Sequence, residues 1–151
     1  MMRRGDDSAT ELREAIMAVA RQLRRHRPDH GLTLSQMELL GEVSRTGVST
    51  PAELGARMRV RAQSLTDSLN ELVARGLIVR RPDDRDRRRQ LIEMTPDGRA
   101  LLAADRAERD AWLRDAMAET LTDLEYELLI IVAPALRKLA LIDEKRGTLG
   151  P

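Results

Sequence analysis

The chain has no cysteine and no phenylalanine, and its only aromatic residues are Trp112 and Tyr126. The lack of thiols excludes disulfides, thiolate metal sites and cysteine-based redox sensing. Lysine is almost absent too: Lys138 and Lys145 are the only two among 26 basic residues. No apolar run approaches the length of a bilayer span. The start, Met1-Met2-Arg3-Arg4-Gly5-Asp6-Asp7, turns acidic before the apolar core of a signal peptide can form. These absences fit a cytoplasmic protein with no membrane partner. No nucleophile is legible beside a base, no glycine-rich loop offers a phosphate cradle, and the carboxylates are scattered, so neither catalysis nor a cofactor is expected. His26 and His30 are the only histidines; Pro28 separates them and no further ligands lie nearby, so no metal site is expected.

What is present is charge, unevenly placed. The net charge of the 151 residues is +1. Residues 1–48 hold eight basic and seven acidic side chains, residues 49–95 ten and seven, and residues 96–151 eight and eleven. The middle third is therefore the anion-facing part and the last third repels phosphate. Within the middle third, Leu77-Ile78-Val79 and Leu91-Ile92 flank a tip that cannot be buried, the pattern of a β-hairpin with a charged loop. Residues 80–89 carry six arginines against three aspartates. Guanidinium groups concentrated on an exposed hairpin imply a negative partner.

Helix signals surround the hairpin. Ser8-x-x-Glu11 reads as a capping box, followed by Leu12, Ile16, Val19 and Leu23 at helical spacing and a stop near Arg27 ahead of Pro28. Ser35-x-x-Glu38 reads as a second box, with Leu34 and Leu39 as its staple and Gly47 as its stop. Thr50-Pro51-Ala52-Glu53 starts a short helix that turns Leu54 and Met58 inward. A further helix over 62–75 buries Leu65, Leu69, Leu72 and Val73 and stops at Gly76. Two short helices joined by a tight turn form a helix–turn–helix. Thr95-Pro96 opens a long helix to about Glu119, and Thr122-x-x-Glu125 caps a last helix, apolar from Leu128 to Leu139, in which Pro134 predicts a bend. The apolar terminal helices call for a second copy of the chain.

The most specific wording is Leu72-x-x-x-Gly76-Leu77-Ile78-x-Arg80, then Asp86-Arg87-Arg88, then Leu91-x-x-Met94-Thr95-x-x-Gly98. It resembles the MarR family of winged-helix transcriptional regulators across nearly the whole chain. Val73 stands where that family usually has glutamate, and Met94 where it has leucine. The resemblance implies a mainly α fold with a small β-wing: one MarR-like chain over 1–151, with dimerisation helices at 8–27 and 96–142, a winged helix–turn–helix at 35–95 and a disordered tail at 143–151. It implies a homodimer on a palindromic operator in double-stranded DNA, acting as a repressor or an activator, repression being favoured, and released or retuned by a small-molecule effector. By motif position, Arg61, Ala62, Gln63, Ser64, Asp67 and Asn70 fall on the recognition helix. Asp86 and Arg88 fall on the wing pair, in which a carboxylate braces a guanidinium reaching into the minor groove.

On chemistry, glutamine and asparagine can read adenine, and arginine suits a narrow minor groove. Arg88 is assigned to that groove, and Arg85 and Arg87 to phosphate. Asp67 is the oddity: near phosphates it must either accept from a cytosine amino group or pair with an arginine. Met17, Met37, Leu40, Arg109 and Trp112 are candidates to border an effector pocket. The rival class is a winged-helix protein-interaction module that does not bind DNA; it predicts an apolar recognition helix and a neutral wing, the opposite of this pattern.

Overall fold

The computed structural model describes residues 4–142; the tail expected at 143–151 lies outside the described residues. The elements run α1 (Arg4–Arg25), α2 (Leu34–Thr46), α3 (Pro51–Met58), α4 (Ala62–Ala74), β1 (Ile78–Pro82), β2 (Gln90–Met94), α5 (Pro96–Thr120) and α6 (Asp123–Ala140). The fold is mainly α with a two-stranded antiparallel sheet, as the sequence implies. It divides into two compact units within α5, after Asp110.

Two helix starts differ from the sequence reading. α1 begins at Arg4, so Ser8 lies inside it and does not cap it. α2 is capped by Thr33, not Ser35: the Thr33 hydroxyl accepts from the Gln36 amide at 3.2 Å, and the Gln36 side chain accepts from the Thr33 amide at 2.8 Å. Both registers satisfy the S/T-x-x-E/Q rule, and burial decides between them. The Thr33 register places Leu32 and Met37 at the staple positions, and both pack into the core; Leu34, needed by the other register, is 44% exposed.

The boxes at Thr50 and Thr122 form as expected. α4 ends in a Schellman turn, with the Gly76 amide donating to the Val73 carbonyl and the Leu77 amide to that of Leu72, while Gly76 takes φ +69°. Val73 is exposed, contrary to expectation, because Leu65, Leu69 and Leu72 already fill the buried face and Val73 points about 100° further round.

The core of the first unit joins α2, α3, α4, the hairpin and the start of α5 through residues such as Leu40, Leu54, Leu69, Leu72, Ile78, Ile92 and Leu102. Each fully buried leucine or isoleucine contributes about 1.5–3 kcal/mol relative to exposure. Inter-helix polar ties supplement it. Glu42 of α2, itself buried, accepts from Arg57 of α3 at 2.5 Å and from Arg45. Burial is the largest single influence and raises the Glu42 pKa, but the hydrogen bonds from Arg57 and Arg45 together with their charges outweigh it and bring it below the usual carboxylate value. In the second unit, α6 continues through Pro134 and has no buried residue.

A carboxylate whose folded pKa is depressed contributes stability that is present above its unfolded pKa, near 4.3, and lost as pH falls through the folded value. Glu42→Gln is therefore expected to lower stability by about 1–3 kcal/mol at pH 7. The gap to wild type should narrow progressively in thermal melts as pH falls below the ordinary carboxylate range; a gap unchanged from pH 7 to pH 3 would contradict the ion-pair account.

Candidate nucleic-acid interface

The helix–turn–helix is built by local signals. Thr50 and Glu53 cap α3 reciprocally, and Pro51 takes the first helical position. The Glu53 pKa is lowered chiefly by the Thr50 amide, then by the Thr50 hydroxyl, with the Arg89 charge adding to this against a small burial penalty. α3 ends at Arg59, which takes the left-handed conformation (φ 52°, ψ 36°), and Val60 and Arg61 complete the link to α4. Past this short turn, α4 keeps its polar face outward. Arg61, Ala62, Gln63, Ser64, Asp67 and Asn70 are all exposed on that helix or at its cap, opposite the buried Leu65, Leu69 and Leu72.

The wing strands pair in the register Ile78↔Met94 through Pro82↔Gln90. A bridge between Ser49 and Ile92, with amide-to-carbonyl bonds of 3.2 and 2.7 Å, attaches the wing to the segment before α3. No local sequence signal points to that bridge. Arg81 reaches diagonally to Glu93 at 2.6 Å, and this hydrogen bond is the main reason the Arg81 pKa is raised. Arg80 donates to the Asn70 side-chain oxygen at 2.9 Å, tying the wing to α4.

The arginine-rich tip occupies the loop 83–89, outside the strands, so its side chains do not follow a strict two-face alternation. Asp83 and Asp86 each accept a backbone amide two residues on, from Arg85 and Arg88, and shape the loop as Asx turns. Asp86 thus meets Arg88 at the main chain, not at the guanidinium. Arg89 leans back to Glu53 at 3.6 Å and Asp83 at 3.9 Å. Among the described residues, Arg85, Arg87 and Arg88 make no ion pair and stand exposed.

A second polar constellation was not legible in the sequence. Asp105 of α5, fully buried, pairs with Arg109 at 2.5 Å, His30 Nε2 at 3.1 Å and Arg27 at 3.7 Å. Arg75 donates to the carbonyls of His30 at 2.5 Å and Gly31 at 2.9 Å. The connection between α1 and α2 is therefore held to both α5 and α4. The only sequence signal was an aspartate three residues after Leu102, on the buried side of α5. Among the described residues no group of three or more potential metal ligands forms. Of the five residues expected to border an effector pocket, Met37 and Leu40 are sealed in the core at 2% and 0% exposure, and Arg109 is engaged by Asp105. Met17 is exposed on α1, and Trp112 belongs to the second unit.

A winged helix–turn–helix with a guanidinium-tipped hairpin defines a DNA-binding transcriptional regulator, and comparison with known proteins agrees. The MarR family model matches residues 30–89. An uncharacterized HTH-type transcriptional regulator of Mycobacterium bovis, Mb0904, is 35% identical over 136 residues, covering 90% of this chain and 93% of that protein. A solved Pseudomonas aeruginosa protein, assigned as a transcriptional regulator, superposes with a TM-score of 0.82 at 34% identity, covering 93% of this chain and 99% of that one. Wild-type apo MarR from E. coli, at 22% identity, shares the fold with a TM-score of 0.72 over 90% of this chain and 97% of its own. The chain belongs to the MarR family.

Arg88→Ala is expected to weaken duplex binding by about 1–3 kcal/mol while leaving the fold intact. Fluorescence anisotropy at fixed salt checks it. Unchanged affinity in a folded variant would remove Arg88 from the interface.

Proposed function

We propose that the protein acts as a homodimer on a palindromic operator, with α4 in the major groove and Arg85, Arg87 and Arg88 of the wing on phosphate and in the minor groove. The observation that carries the dimer is α6. Leu128, Leu129, Ile130, Ile131 and Val132 are consecutive, between 41% and 69% exposed, and so cover every side of the helix. Water is a poor partner for such a surface. A second copy supplies an equally apolar one, and a two-fold interface is the commonest way a soluble chain meets that need. In the first unit, Leu12, Ile16, Met17 and Val19 of α1 are likewise 42–47% exposed and call for cover of their own.

A two-fold protein matches half-sites about one helical turn apart. A dimer lying across its operator obstructs polymerase, so repression is the sign this reading favours, with the protein acting in the cytoplasm as a non-enzymatic regulator. Release by a small effector belongs to the same reading. Its site would need surface other than Met37 and Leu40, which packing already occupies.

Sedimentation equilibrium should give twice the chain mass at micromolar concentration, and Ile131→Asp should give a single chain with at least tenfold weaker operator binding. Wild-type protein sedimenting as one chain would end the dimer proposal.

A further inference from the structure

The exposed stripe of α4 is already partly wired. Gln63, Asp67 and Asn70 sit at i, i+4 and i+7, in line on one face. Gln63 Nε2 donates to Asp67 Oδ1 at 3.0 Å, and Asn70 Oδ1 accepts from Arg80 at 2.9 Å. Chemistry forces both amide orientations, because a carboxylate only accepts and a guanidinium only donates. The remaining valences are then defined. Asp67 keeps its second oxygen free to accept, and Asn70 keeps its amino group as a donor while one lone pair of its oxygen is committed to Arg80. The acceptor half of a bidentate adenine contact by Asn70 is therefore already shared with the wing.

Asp67 is the one charged residue in the middle of this stripe. α4, from Ala62 to Ala74, contains no arginine or lysine. Arg80, the wing arginine hydrogen-bonded to the stripe, reaches the neutral Asn70 and makes no ion pair with Asp67. Among the described residues no ion pair involves Asp67. The alternative that it pairs with an arginine is thus not what the structure shows. A carboxylate held toward DNA without a cation is repelled by phosphate, and the compensating partner is a base-edge N–H. Cytosine fits best: its major-groove edge offers the N4 amino donor and no acceptor, whereas adenine sets the N7 acceptor beside N6.

We infer that Asp67, braced by Gln63, is a specificity-determining residue that selects a cytosine at one position in each half-site by accepting from its N4 amino group. This rests on the reading that α4 enters the major groove. Gln63 acts as a positioning residue, fixing which Asp67 oxygen is presented.

The test is selection of bound sites from random duplex DNA by the full-length wild type, Asp67→Asn, Asp67→Ala and Gln63→Ala, each checked for an unchanged melting temperature. Wild type should enrich cytosine at one symmetric position, and replacing it should weaken binding about 5- to 150-fold. In Asp67→Ala that ratio should fall to about 1 with the other positions unchanged. Asp67→Asn should shift the preference there to adenine, which an amide reads bidentately. Gln63→Ala should blunt the cytosine preference without abolishing it. If Asp67→Ala keeps the wild-type preference, or changes affinity equally for all sequences, Asp67 is only a helix brace and the inference is overturned while DNA binding stands. If neither wild type nor variants enrich any duplex, the groove reading falls together with it.

Discussion

The close approach of α5 to the backbone at Leu77 is the constraint on which the DNA-binding unit depends. A Cβ placed on Gly98 would lie 2.1 Å from the Leu77 carbonyl oxygen and 3.0 Å from Met94 Cγ, so only glycine admits the observed packing. That same carbonyl accepts from the Thr95 amide at 3.1 Å. The Thr95 hydroxyl donates to the Gly76 carbonyl at 2.7 Å and accepts from the Gly98 amide at 3.0 Å. Four residues thus join the end of α4, both roots of the wing and the first turn of α5. Main-chain groups, two of them bridged by the Thr95 hydroxyl, define this junction, which leaves it few alternative arrangements.

From that junction the interface is assembled by division of labour. α4 supplies polar groups without basic ones, and the wing supplies the cations. The wing cations are themselves divided. Arg80 fixes Asn70, Arg81 fixes Glu93, and Arg89 reaches Glu53 and Asp83. The three arginines left over at the tip are solvent-facing, and their charge is available to phosphate. A net charge of +1 conceals this arrangement, because the acidic excess lies in the last third of the chain.

Legibility in the sequence followed the range of the interactions. The caps at Thr50 and Thr122 and the stop at Gly76 are made within six residues, and the residues themselves specify them. The start of α2 was ambiguous because Thr33-x-x-Gln36 and Ser35-x-x-Glu38 obey one local rule, and only the packing of Leu32 against the exposure of Leu34 separates them. Gly98 was visible as part of a motif, but its cause, the Leu77 carbonyl, lies 21 positions away. Asp105 and His30 are 75 positions apart, and nothing local links a histidine after a proline to an aspartate on a distant helix. At the tip, composition revealed the charge but not which guanidinium was already engaged, since Glu53, the partner of Arg89, is on another element.

If the junction governs the unit, wing and recognition helix open together or not at all. Native-state hydrogen exchange at the amides of Leu77, Ile92 and Thr95 tests this directly, since these bond to Leu72, Ser49 and Leu77. The account predicts that they exchange only through global unfolding, with the same free energy as the amides of Val43 and Leu69 in the core helices. Exchange at Ile92 and Thr95 through an opening about 2 kcal/mol or more below that value would show the wing to be an independent flap and contradict it.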